Sequence, residues 1–111
     1  MNSVVLGRYF YSIPLNEKGR EEINYGQENT ENMIDGQFDA EEIGELLADK
    51  SLLEVGGICD EDICDGESSV IYPQYAQKAI DIIKSKGHEN VLLIKLLEKS
   101  KEIGMELYLD F

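Results

Sequence analysis

The spacing of apolar positions changes period several times along the chain, and each change marks an element. Residues 3–13 (SVVLGRYFYSI) are β-branched and aromatic with bulk on both faces, which predicts a strand, central in its sheet and closed by Pro14. Asn16 to Gly19 predicts a turn, and Arg20–Tyr25 a returning, more polar strand. Residues 26–37 lack periodicity and predict a surface loop. From Asp39 the spacing turns helical. Ala40, Ile43, Leu46 and Leu47 form one stripe, Asp39 stands at the N-cap, and Glu42 takes the third position of a capping box. Residues 52–58 (LLEVGGI) predict a short strand entering a loop at 59–67, and Ser69–Tyr72 another.

Pro73 suits the first position of a second helix. This helix runs to about Lys86, with Tyr75, Ala76, Ala79, Ile80, Ile82 and Ile83 inward and Gly87 as its stop. Asn90 is placed to cap a third helix carrying Val91, Leu92, Ile94, Leu96 and Leu97, which Gly104 ends. Residues 105–111 alternate strictly, a strand with Met105, Leu107, Leu109 and Phe111 inward and Phe111 as a core anchor. The pattern predicts a single α+β domain over residues 1–111, a small mixed or antiparallel sheet with about three helices packed on it.

Charge changes this picture more than composition does. Sixteen carboxylates lie between residues 21 and 67 against one base, Lys50. Residues 1–20 carry an excess of +2 and residues 68–111 balance six lysines against six acids, so this stretch, at −15, is the source of the net charge of −13. Such a field repels itself and draws in a basic partner. It opposes direct contact with nucleic acid or anionic lipid. At 111 residues and 42% hydrophobic, the chain has enough apolar content for a core. It has no apolar run long enough to span a bilayer and no basic segment ahead of its first apolar residues, so the expected location is the cytoplasm. Cys59 and Cys64, five apart in an acidic loop, read as free thiols.

The candidate chemistry is thin. Counted from Asp60, an EF-hand loop would need an acid where Cys64 stands, glycine where Asp65 stands and glutamate where Ile71 stands, so no metal site is expected. His88, the only histidine, follows a helix-ending glycine in a polar connection and reads as an exposed loop residue. No phosphate loop or nucleophile elbow is present, and no catalytic residue or cofactor is expected.

The acidic stretch also embeds Tyr25, Met33, Ile34, Phe38 and Ile63, side chains suited to anchoring an interface within a charged surround. The expected partner-binding residues are Asp60, Glu61, Asp62, Asp65 and Glu67 at the centre, with Glu41, Glu45 and Asp49 on the first helix and Tyr25, Glu28 and Glu31 beside them. A small acidic protein competes for the phosphate-binding surface of a nucleic-acid enzyme by presenting carboxylates where phosphates would lie.

In size, acidity, α+β pattern and lack of catalytic motifs the chain resembles the small immunity proteins that neutralise nuclease toxins in bacterial competition, including contact-dependent growth inhibition. Tyr25 to Asn29 followed by Asp35 is loosely similar to the acidic recognition segment of the barstar family, and Asn90–Phe111 to its final helix and strand. The tryptophan of that segment is missing and the acids are spaced differently, so no binding residue is carried over. The resemblance implies a one-to-one complex with a basic nuclease toxin, a ribonuclease before a deoxyribonuclease. The alternatives are a phage-type nucleic-acid mimic, including an inhibitor of CRISPR proteins, and a non-catalytic regulatory adaptor.

Overall fold

Alternation and helix-stop residues determine most of the chain's course. A computed structural model describes residues 9–111. Its elements are β1 (Phe10–Pro14), α1 (Glu17–Asn24), β2 (Met33–Gln37), α2 (Ala40–Ala48), α3 (Ser51–Cys59), β3 (Ser68–Ile71), α4 (Pro73–Ser85), α5 (Leu92–Ile103) and β4 (Leu107–Asp110). The strands form one sheet in the order β2-β1-β4-β3, antiparallel throughout. The fold is α+β, with an antiparallel sheet and five helices in place of about three.

The alternation of β4 sets the two faces of the sheet. Leu107, Leu109 and Phe111 are buried on one side, joined by Ile13 from β1 and Ile71 from β3. Helices α2 to α5 cover that side through Ile43, Leu46, Leu52, Val55, Ile80, Ile83, Leu93 and Leu97, all essentially inaccessible to solvent. The edge of this core is aromatic. Phe111 packs edge-on against Tyr9 and Phe38, at ring separations of 5.3 and 5.9 Å. Proline opens α4, and Gly104 closes α5 in the left-handed conformation that favours glycine.

Three predicted elements are corrected. Residues 17–24 form helix α1 where a turn and a second strand were expected. Asn16 caps it by accepting the Gly19 amide at 2.9 Å, and Gly19 lies inside the helix because the Asn32 carbonyl packs where a side chain would stand. Residues 33–37, read as loop, form β2, an edge strand paired along its inner side with β1. Residues 52–58, read as strand, lie in α3. Leu52, Val55, Gly56 and Cys59 have helical spacing, and Gly56 is required because a Cβ there would stand 2.5 Å from the Glu61 carbonyl oxygen. Of the first predicted strand, residues 3–8 lie outside the described residues.

Two caps are also reassigned. Asp39 caps α2 as expected, accepting the Glu41 amide at 2.9 Å. Glu42 does not turn back to complete a capping box. Its carboxylate accepts the amides of Leu92 and Leu93 at 3.1 and 3.3 Å and so caps α5, the task expected of Asn90. Among the described residues no helix is long and apolar enough to cross a membrane.

Candidate functional site

The face of the sheet away from α2 to α5 is open over much of its area. Strand pairing sets its side chains in rows. Asp35, Ser12, Tyr108 and Val70 follow one another across β2, β1, β4 and β3, and Gln37, Phe10, Asp110 and Ser68 form the next row. Neighbouring strands lie about 5 Å apart, so each row is a continuous strip of side chains. The segment after α1 (Gly26 to Asn29) walls one side and Glu61 the other, enclosing an open groove of about 700 Å³. This is within the roughly 300–1,000 Å³ range of ligand sites.

The end of the groove is held by an ion pair. Arg20 of α1 donates to both oxygens of Glu106, from Nε at 2.6 Å and from Nη2 at 2.8 Å, and also to Glu17. Glu106 is buried, and the Arg20 guanidinium outweighs its burial, lowering the carboxyl to about 2. Tyr108 donates its hydroxyl to the same carboxylate at 2.6 Å. Burial, and then this hydrogen bond, push its phenol up to about 12. The ring of Tyr108 is thus fixed in the floor. Phe10 beside it is 39% exposed.

The groove is acidic throughout. Glu28, Asp35, Glu61 and Asp110 line it, and among the described residues no lysine, arginine or histidine does. Three of these carboxylates are oriented by the chain itself. Asp35 accepts the Asn29 amide at 2.8 Å, Glu61 the Val70 amide at 2.8 Å, and Asp110 the Ser68 hydroxyl at 3.2 Å. Neutral donors leave their charge in place. The Glu61 contact has a second effect, because it occupies an outward N–H of edge strand β3, a group otherwise free to template strand addition.

The structure brings only two of the expected partner-binding residues, Glu28 and Glu61, into this groove. Asp60, which ends α3 in a left-handed conformation, and Asp62 line a shallower hollow of about 300 Å³ that Glu61 separates from it. Glu31, Glu41, Glu45, Asp65 and Glu67 are exposed and line neither. Tyr25 stands beside the groove wall, 79% exposed. Asp49 is engaged internally, accepting from the Ser51 amide at 2.9 Å, from the Ser51 hydroxyl at 2.6 Å and from His88. Burial would raise its pKa, but the bonds from Ser51 and His88 prevail and hold it below the ordinary carboxylate range. His88, expected in an exposed loop, is accordingly half-buried.

Of the predicted apolar anchors, Phe38 and Ile63 belong to the buried core, and Met33 is buried where it lines the groove, so Phe38 and Ile63 are unavailable to a partner. Sequence reading missed Phe10, Asp35, Tyr108 and Asp110. The strict alternation of residues 105–111 was the available signal for two of them, since it places Tyr108 and Asp110 together on the face opposite the core. Among the described residues no cluster of three histidine, cysteine or acidic side chains is arranged to hold a metal ion, and Cys59 and Cys64 are unpaired with each other. Comparison with family models, curated proteins and solved structures finds no match.

Proposed function

We propose that this protein is a cytoplasmic immunity protein. It binds a basic nuclease toxin, a ribonuclease in the first instance, in a one-to-one complex and neutralises it by covering the toxin's positive surface with an acidic face. The observation that carries this reading is the open sheet face, where four carboxylates surround a floor containing Phe10 and Tyr108 and, among the described residues, no cationic side chain lines the groove. A charged surround over an aromatic floor suits recognition of a basic protein surface. The concentration of the net charge of −13 in residues 21–67 supports the same reading, because it steers a basic partner toward that part of the chain. Asp60, Asp62, Asp65 and Glu67 add to the acidic field, while Glu41 and Glu45 lie on α2, across the sheet from the groove.

The test is capture from native cells. The tagged protein is used to recover partners at low salt and again at high salt, and the bound proteins are identified by mass spectrometry. A single basic nuclease domain at one-to-one stoichiometry, its activity lost on adding one equivalent of this protein, is the expected result. Recovery of several unrelated nucleic-acid-binding proteins would replace the reading with that of a nucleic-acid mimic. No partner at either salt would return the acidic stretch to a solvated surface.

A further inference from the structure

The groove on the open sheet face differs from the acidic surface around it in having an aromatic floor and oriented carboxylates. Asp35 lies in the row of Tyr108, and Asp110 in the row of Phe10, so each acid stands within one or two strands of an aromatic ring. Glu28 and Glu61 rise from opposite walls. Arg20 of α1 is committed to Glu106 and Glu17, and among the described residues no cation lines the groove to balance its carboxylates. The Arg20–Glu106–Tyr108 chain also fixes the tyrosine ring before any partner arrives, which reduces the ordering cost of binding.

These features select among occupants. Nucleic acid and anionic lipid are repelled. A second copy would bring another −13 against the first. A lysine ammonium is a strongly hydrated point charge that gains little from a flat ring. A guanidinium is planar, weakly hydrated, stacks on aromatic faces and offers a fork of donors to a carboxylate. We infer that the groove formed by the open faces of β2, β1, β4 and β3 is the docking site for an extended, arginine-bearing segment of the protein partner. Arginine side chains lie over Phe10 and Tyr108 and donate to Asp35 and Asp110, with Glu28 and Glu61 closing the sides. This inference rests on the binding reading above and adds where the contact is centred and which cation it prefers.

The probe is a blocked tri-arginine peptide, with tri-lysine as its counterpart, titrated into the isotope-labelled protein by NMR. Amide shifts should concentrate at Phe10, Ser12, Asp35, Tyr108 and Asp110. Tri-arginine should bind at least about threefold more tightly than tri-lysine. The isosteric variant Glu28→Gln/Asp35→Asn/Asp110→Asn should lose about tenfold or more in affinity. Its charge-matched control, Glu41→Gln/Glu45→Gln/Asp62→Asn, removes the same three charges outside the groove and should stay within about twofold of wild type. Equal loss in the two variants, equal affinity for the two peptides, or shifts centred on residues 60–67 would each overturn the groove assignment. The peptide comparison on the wild-type protein decides the matter even if a variant fails to fold. A basic partner captured by a protein whose groove ignores the peptide would refute this inference and leave the binding reading standing. Peptide in the groove with no partner captured would refute the binding reading and leave only the groove's preference for arginine standing.

Discussion

Several residues that look like ordinary surface or loop positions in the sequence are fixed by backbone geometry. Gly19 reads as part of a turn and Gly56 as part of a strand, yet both lie inside helices, where another segment's carbonyl oxygen approaches to 2.0 and 2.5 Å of a would-be Cβ. Gly44 in α2 has nothing within 4 Å of that point. The same substitution should therefore act with opposite sign. Gly19→Ala should cost about 3 kcal/mol or more through the clash with Asn32. Gly44→Ala should gain about 0.5–1 kcal/mol by restricting the unfolded chain and favouring the helix. Urea denaturation of the two variants checks this, and a loss in both would mean that α2 is less open at Gly44 than described. Composition cannot distinguish these glycines, because the requirement lies in a contact with a distant segment. The same holds for Glu42, Asp49 and Glu61. Each counts as a surface charge in sequence, and each accepts a backbone amide in the fold.

Elements with a strong internal period were legible. α2, α4, α5 and the final strand follow from apolar stripes, proline and glycine signals and strict alternation, and β1 from its β-branched and aromatic content. Helix α1 was not, since Ile23 is its only large apolar residue and its stability comes from the Asn16 cap and from Arg20 reaching Glu106, just ahead of β4. β2 is short and polar and owes its form to β1. The link from α1 to the sheet makes a prediction about pH. Glu106 titrates at about 2 when folded, against an ordinary value of 4.5, so its contribution to stability is fully present above about pH 4.5 and is lost as pH falls toward 2. Arg20→Gln should lower the melting temperature at neutral pH by leaving Glu106 buried without its partner. That deficit should shrink steadily below pH 4.5 as the carboxyl is protonated in both proteins. Melting curves of the pair across this range check it, and a deficit constant with pH would show that Arg20 acts through packing alone.

At the scale of the whole molecule, the sequence revealed the sign and segregation of the charge but not the surface that uses it. The residues 60–67 cluster is dense in sequence, whereas the groove draws its acids from positions 28, 35, 61 and 110, which only the sheet order brings together. A net charge of −13 on 111 residues opposes folding by self-repulsion, a cost consistent with a surface kept for association. On the proposed function, this charge serves capture of a basic partner. The most direct measurement is the association rate constant with the captured partner, followed by stopped-flow fluorescence from low to high ionic strength. Electrostatic capture predicts a one-to-one complex whose association slows by about tenfold or more as salt screens the field. An association rate unchanged by salt would contradict it and would leave the acidic face without a part in recognition.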